Sequence, residues 1–379
     1  MKIVRTSTVP GSLNNFCRNL LHELQESEGY SVVAVSSPGD ALSEIASREG
    51  VKVYPVPMER HIAPVKDLIS LWKLIKVFRK ERPDMVHSIT PKAGLLSMMA
   101  AWVCRVPVRL HTFTGLVFPT STGFKQKLLI FTDRLTCFCA THIMPEGEGV
   151  KNDLINYQIT SKPLKVLGYG NIRGIDLKYF DRTAEVEKET EKIRKTDITT
   201  FIFIGRLVRD KGINELVGAF AKLNKEYTKT RLLLVGRRED KLDPLEGQTL
   251  QEIENNPAII TTGEQKDVRP WLAASDIFVF PSYREGFPNV VIEAGSMGLP
   301  AIVTDINGSR EIIIEGENGI IIPARDSEHL YTAMKQLMAS PKQTRQMANN
   351  ARTMIESRFE QTFVRKCLKK YYKEILQDV

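Results

Sequence analysis

Two acids, Glu285 and Glu293, bracket the run Glu285-Gly286-Phe287-Pro288-Asn289-Val290-Val291-Ile292-Glu293. The run follows an apolar stretch, Asp276 to Phe280, that closes in Pro281-Ser282. Proline suits the first helical position, where its missing N–H is not needed. A helix is therefore expected to begin near Pro288 or Asn289, with its free backbone N–H groups facing whatever lies above the strand end, a ready site for an anion. Glu285 stands on the approach to that site and Glu293 about one turn inside the helix, so an anion carrying hydroxyls at both ends would suit the pair. A second group lies upstream in Gly205-Arg206-Leu207-Val208-Arg209-Asp210-Lys211-Gly212. Arg206 forks across two phosphate oxygens and Lys211 adds a compact charge. Together they neutralise a diphosphate leaving group, the task a divalent metal performs elsewhere, so no metal and no cofactor is expected. Either group alone reads as an ordinary turn with solvated side chains; their co-occurrence carries the chemistry.

The elements that must position these residues alternate short β-branched runs with amphipathic stretches, the pattern of parallel sheets with crossover helices. Strands are expected at Lys2–Arg5, Ser31–Ser36, Val51–Val56, Met85–Ser88, Val108–Thr112 and Thr141–Met144, then at Thr200–Ile204, Arg231–Val235, Ala258–Thr262, Asp276–Phe280, Pro300–Thr304 and Gly319–Ile322. Helices are expected at Ser12–Gln25, Lys66–Glu81 and Ala93–Cys104, with a basic amphipathic helix over Phe359–Leu376. A length of 379 residues suits two domains. Hydrophobic content of 42% and charged content of 26% are those of a globular chain, and no apolar run reaches the roughly 18 residues of a membrane span. With no signal-peptide pattern at the N-terminus and five irregularly spaced cysteines, a cytosolic, reducing setting is expected. Cys137 and Cys139 are read as core or interface residues sharing one face of a strand, not a metal site.

The net charge of +8 is concentrated in residues 1–180, which hold 23 Lys+Arg against 15 Asp+Glu; the remainder holds 30 of each. The first half therefore faces something anionic. No nucleic-acid module is present, so a membrane surface or a phosphorylated acceptor is the better reading. The segment Lys66 to Arg82 carries Leu68, Leu71, Trp72, Ile75 and Phe78 at helical spacing among six basic residues. It reads as a helix that either lies on an anionic surface or packs on the sheet. Phe118–Leu129, a Gly- and Lys-bearing loop, is a second candidate for such a surface.

The run from Glu285 to Glu293 resembles the signature of the retaining glycosyltransferases of family 4, and Gly205–Gly212 is similar to that family's G-R-x-x-x-x-K-G loop. The resemblance implies an α/β chain of the GT-B class, two Rossmann-like domains with parallel sheets facing across a cleft. It places an acceptor-binding domain at 1–170, a nucleotide-sugar-binding domain at 171–355, and a C-terminal helix, 356–379, crossing back to the first. The reaction implied is transfer of a sugar from a nucleotide-sugar donor, UDP-linked by preference, to a hydroxyl, with retention. Glu285 would meet the donor sugar and Glu293 the ribose. Arg206 and Lys211 would meet the diphosphate, and Gly286, Phe287, Pro288, Asn289 and Val290 would form the cradle. Gly11, Gly236, Gly263 and Glu264 occupy further donor positions, and Asn307-Gly308-Ser309 matches a loop of small residues that closes the site.

On the acceptor side, Thr90-Pro91-Lys92-Ala93-Gly94 looks like a segment of capsule and lipid-linked-oligosaccharide transferases, with Lys92 placed for an acceptor phosphate. Many relatives carry a histidine just before Gly115; here Thr114 stands there, with His111 three residues earlier, and both are candidates for the acceptor hydroxyl. The partners implied are a nucleotide sugar and a saccharide or lipid-linked saccharide, with weak association at the inner face of the plasma membrane. A nucleotide-sugar 2-epimerase of the same fold, or a binding protein without turnover, are the rival readings.

Overall fold

The computed structural model describes residues 1–239, 241 and 243–377, which divide into two compact units, Met1–Gly174 with Thr362–Val379 and Ile175–Gln361. In the first unit six parallel strands, β1 (Lys2–Thr6), β2 (Ser31–Ser36), β3 (Lys52–Pro55), β4 (Met85–Ile89), β5 (Val108–Phe113) and β6 (His142–Pro145), run in the order β3-β2-β1-β4-β5-β6. In the second, β7 (Thr199–Ile204), β8 (Thr230–Val235), β9 (Ile259–Gly263), β10 (Ile277–Phe280), β11 (Ala301–Thr304) and β12 (Gly319–Ile322) run in the order β12-β11-β10-β7-β8-β9. Counted from its own first strand, each sheet has the doubly wound order in which the chain turns back once, between its first and fourth strands. Helices cover both faces, which is why the central strands read as continuous apolar runs. In β1, Ile3 joins the core on one face and Val4 the core on the other, the alternation of a pleated strand.

The seam expected at 170/171 falls at 174/175. The Asn171 side chain accepts from the backbone N–H groups of Arg173 and Gly174, while its own N–H donates to the Glu146 carbonyl, tying this turn to the first unit. The second boundary, expected at 355/356, falls at 361/362. Phe359 stacks edge-on against Phe287 at 5.5 Å and Arg358 donates to the Ile312 carbonyl, so the helix Pro341–Phe359 finishes within the second unit. The tail helix Gln361–Leu376 then packs into the first unit, burying Leu368, Tyr372 and Leu376 beside Leu13, Leu20 and Leu24. Its basic face is paired rather than solvated: Arg365 and Lys369 reach Glu23, and Lys373 reaches Glu28 at 2.7 Å. Tyr372 accepts a close hydrogen bond from Arg5, which is fully buried and also donates to His87 and, at 3.1 Å, to the Cys17 sulfur. Burial and the neighbouring guanidinium hold the His87 imidazole well below its usual range, so it stays neutral and bonds Thr112 at 2.7 Å.

Three local expectations change. The single helix over Ser12–Gln25 is two, Pro10–Cys17 and Leu20–Glu26. Asn19 takes the left-handed conformation between them (φ 61°), and the buried Glu49 carboxylate accepts from the Asn19 and His22 N–H groups at the start of the second helix. An acid at that end satisfies orphan donors and the helix dipole, which offsets the break. Cys137 and Cys139 lie at the end of a helix, Gly123–Cys139, not on a strand. Both are buried, with Phe138 exposed between them. The loop expected over Phe118–Leu129 is a short turn, Phe118–Thr120, followed by the start of that helix.

On the same helix burial pushes the Asp133 carboxyl up to about 7. A raised folded-state value means the native chain holds a proton that the unfolded chain releases near pH ~4. Unfolding free energy should therefore fall as pH rises from there through about 7. Asp133→Asn should raise stability at alkaline pH by up to roughly 4 kcal/mol and leave it unchanged in acid; thermal melts across this range measure both.

Candidate active site

In each doubly wound sheet a ligand crevice forms outside the carboxyl ends of the two strands where the winding reverses. In the second unit those strands are β7 and β10, which end in Gly205-Arg206 and Pro281-Ser282, so the two groups of reactive residues meet at one place. After β7 the chain makes a short turn, Arg209–Lys211, and enters the helix Ile213–Glu226. After β10 the loop Pro281–Pro288 leads into the helix Asn289–Ser296. The two loops are laced together. The Tyr283 N–H donates to the Asp210 carbonyl at 2.9 Å, Arg284 pairs with the Asp210 carboxylate at 3.0 Å, and the Tyr283 hydroxyl donates to Glu215.

This lacing brings Lys211 and Glu285 into a close ion pair in which both side chains are largely buried. The Ser282 hydroxyl donates to the same Glu285 oxygen at 2.8 Å, and the Lys211 ammonium stands 5.4 Å from the centre of the Phe280 ring. A lysine held by one carboxylate and an aromatic face is positioned without being fully neutralised, and it remains available to a stronger, doubly charged acceptor. Arg206 is not turned toward Glu285. Its guanidinium pairs with Glu239 at 2.7 Å, and Arg237 reaches the other Glu239 oxygen at 3.3 Å. Those hydrogen bonds hold the Glu239 carboxyl below its usual range. Ser282 and Glu239 were not singled out from the sequence. Glu239 follows Gly236 closely on the loop after β8, and Ser282 directly precedes the Glu285 loop, so adjacency to recognised positions was the only available signal.

The cradle is built by close backbone packing. Gly236 ends β8 so near the neighbouring turn that a Cβ there would lie 1.8 Å from the Gly205 carbonyl oxygen. Gly308, at φ +74°, lets its loop press on the start of the Glu285 helix; a Cβ would stand 2.5 Å from the Gly286 oxygen and 2.7 Å from the Phe287 Cα. Gly308→Val should therefore displace residues 286–288, cost about 2 kcal/mol in stability and cut turnover at least tenfold; thermal melts and steady-state rates check both.

The helix starts at Asn289, with Pro288 as its cap residue and Glu293 one turn in. Phe287, expected to touch the donor, instead turns its ring into the core against Phe359, and Pro288 is buried too. Their side chains anchor the loop, and the groups left to a ligand are its backbone N–H donors. Val290 likewise packs partly into the core. Gly263 ends β9 and accepts from the Gly236 N–H at 2.9 Å, with Glu264 exposed just beyond.

In the first unit the reversal lies between β1 and β4. Thr8 and Thr90 bridge it through their hydroxyls at 2.7 Å. Thr90 has φ +76°, a strained conformation for a β-branched residue, and it precedes the helix Pro91–Val103. Gly11, in the first turn of its helix, faces open space. Lys92 is committed to Asp67 at 2.5 Å and is mostly buried. Thr114 sits just past β5 and is partly exposed.

His111, proposed from the sequence for the acceptor hydroxyl, is buried. Its Nδ1 bonds the Ser88 hydroxyl at 2.8 Å, and its ring stacks edge-on against Phe113 at 4.5 Å. Gly94 makes room for that ring, since a Cβ there would lie 2.3 Å from it. Burial lowers the imidazole to about 3, so it is neutral. The strand carries this side chain into the packed layer beneath Pro91–Val103, whereas Thr114 lies beyond the strand end. Among the described residues no cluster of three or more His, Cys, Asp or Glu could hold a metal ion, and no helix is long and apolar enough to cross a membrane.

Residues 185–354 match the family description "Glycosyl transferases group 1" and residues 11–170 match "Glycosyl transferase 4-like domain". The chain is 30% identical to the capsular polysaccharide biosynthesis glycosyltransferase CapM of Staphylococcus aureus, over 94% of this chain and 93% of that one. It is 28% identical to the UDP-Gal:alpha-D-GlcNAc-diphosphoundecaprenol alpha-1,3-galactosyltransferase of Escherichia coli, over 89% and 87%. The crystal structure of Anabaena HepE in complex with UDP superposes with a TM-score of 0.80 at 17% identity, covering 99% of this chain and all of that one, a likeness of fold.

Proposed function

Because the chain belongs to the group 1 glycosyltransferases of family 4, with the GT-B fold, we propose that it moves a hexosyl group from a UDP-sugar to a hydroxyl of a polyprenyl-diphosphate-linked saccharide. The transfer proceeds with retention at the anomeric carbon and without a metal ion, as a step in bacterial surface-polysaccharide assembly. The observation that carries the reading is the Lys211–Glu285 pair, set at the reversal of the second sheet beside the N-terminus of Asn289–Ser296. Support for the donor's base and for the lipid-linked acceptor comes from what the Escherichia coli relative is named for and from the UDP held by HepE.

The donor diphosphate draws the Lys211 ammonium from Glu285 and meets the helix N–H groups, and Arg206 leaves Glu239 to fork across it. The freed Glu285 carboxylate accepts hydrogen bonds from the donor sugar's hydroxyls. The bond from the anomeric carbon to the β-phosphate oxygen then breaks with its electron pair on that oxygen. Lys211, Arg206 and the helix N–H dipoles, already oriented, stabilise the charge. The acceptor oxygen bonds the anomeric carbon on the same face, and its proton passes to the departing phosphate oxygen. Glu293 receives the ribose hydroxyls, and Thr114 meets the acceptor.

The test is a panel of nucleotide sugars with a polyprenyl-diphosphate saccharide extract, following nucleotide release and product configuration by NMR. One UDP-sugar should turn over, give an axial–axial or equatorial–equatorial relation between donor and product, and do so unchanged in excess EDTA. Inversion would refute the same-face route, loss with EDTA would refute the role given to the basic pair, and conversion of the sugar without acceptor would favour the epimerase.

A further inference from the structure

We propose that the N-terminal unit docks into an anionic lipid bilayer through the outer ridges of three neighbouring helices, with aromatic side chains entering the boundary between headgroups and acyl chains. The helices are Pro64–Glu81, Pro91–Val103 and Gly123–Cys139, which pack side by side on one face of the first sheet.

Each already spends one apolar face on the core: Leu74 and Phe78 from the first, Leu96 and Met98 from the second, Cys137 from the third. A surface helix that has done so normally turns charged and polar residues outward. These three carry a second apolar face. On the first, Val65, Leu68, Ile69 and Trp72 recur at helical spacing and are all exposed, Leu68 at 66%. On the third, Phe124, Phe131 and Phe138 fall every two turns along one line, exposed at 82%, 61% and 65%. The middle helix bears no charge after Lys92, and its outer end presents Trp102 and Val103 to solvent. The Trp102 and Phe138 rings lie 6.2 Å apart, joining the second ridge to the third. Exposed apolar ridges on three adjacent helices mark an interaction surface.

The charges around it select the partner. Lys73, Lys76, Arg79 and Lys80 rise from the first helix and Lys125 and Lys127 from the start of the third. The acids of the same helices are occupied: Asp67 pairs with Lys92, Glu81 with Lys2 and Lys52, and Asp133 is drawn toward its neutral form by burial. The Lys76 ammonium stands 3.3 Å over the Trp72 ring, so charge and aromatic surface are presented together. A second copy placed on this face would set basic rim against basic rim. An anionic leaflet satisfies both the rim and the apolar ridges. The inference stands on this surface alone and needs no turnover, so its failure leaves the catalytic reading untouched, and the reverse.

The chain contains three tryptophans. Trp72 and Trp102 lie on the proposed face, and Trp271 packs against the core of the other unit. Vesicles of phosphatidylglycerol with phosphatidylcholine should shift the emission to the blue, and lipid brominated along its acyl chains should quench it. Flotation should persist in part when salt is raised from about 0.15 M to about 1 M, where surface charge is screened within a few ångströms. Replacing Phe124, Phe131 and Phe138 together with serine should lower vesicle partition at least tenfold, with the melting transition and donor hydrolysis unchanged as controls for folding. Absence of vesicle binding, binding without acyl-chain quenching that vanishes at high salt, wild-type partition by the serine variant, or self-association through this face in place of vesicle binding would each overturn the proposal.

Discussion

Lys211→Ala and Glu285→Gln should each lower kcat on the natural acceptor by about a hundred- to ten-thousandfold, the range seen when a preoriented charge is taken from a transition state. The two substitutions should be close to additive in kcat. In the resting protein the side chains hold each other, with Ser282 steadying Glu285 from the other side. Each is useful only when the donor separates them, Lys211 to the diphosphate and Glu285 to the sugar. The double variant should therefore be slower than either single variant by about the other's factor, as expected for groups that act apart once the donor is bound. Lys211→Ala should also weaken binding of UDP itself, whereas Glu285→Gln should leave UDP affinity close to wild type, because only the lysine is assigned to the diphosphate. Calorimetric titration of UDP separates the two; equal loss in both would remove the division of labour.

Ending the chain after Gln361 should unfold the N-terminal unit while sparing the C-terminal one. The helix Gln361–Leu376 lies far from Met1 in sequence but buries Leu368, Tyr371, Tyr372, Ile375 and Leu376 in the first unit's core. At roughly 1.5–3 kcal/mol for each fully buried large side chain, that burial is as large as the whole stability of a typical domain, about 5–15 kcal/mol. Truncation also strips Tyr372 from the buried Arg5 guanidinium, whose other side-chain partners are His87 and Cys17, neither of them an acid. A buried cation left short of acceptors is strongly destabilising. Hydrogen exchange read by peptide should show β1, β4 and β5 losing protection while β7 and β10 keep theirs. Protection retained in both units would show the tail to be an accessory.

Much of the site and fold was legible from local patterns. The strands were placed to within a residue or two at each end because a strand covered on both faces must be apolar along its length. The Glu285–Glu293 and Gly205–Gly212 groups could be located because each follows an apolar strand and the two occur together in one chain, as in the family they resemble. Residues whose surroundings come from distant segments were not legible. His111 reads like any histidine near a strand end, and its burial follows from Gly94 on the preceding helix. Phe287 belongs to a binding motif by sequence and to the core by its contact with Phe359. The break at Asn19 depends on Glu49, which arrives from the third helix of the unit.

The outer ridges show the same division. Spacing alone put Leu71, Trp72 and Phe78 on one helix, but Phe78 turned inward and Trp72 outward. The chain's composition and periodicity settle which segments become strands and helices and where backbone donors and charged groups can gather, because those choices depend on neighbours a few residues away. Which face of each helix is covered, which carboxylate holds Lys211, and where the last helix docks depend on segments far apart in the chain, and those pairings are set by the packing of the completed core.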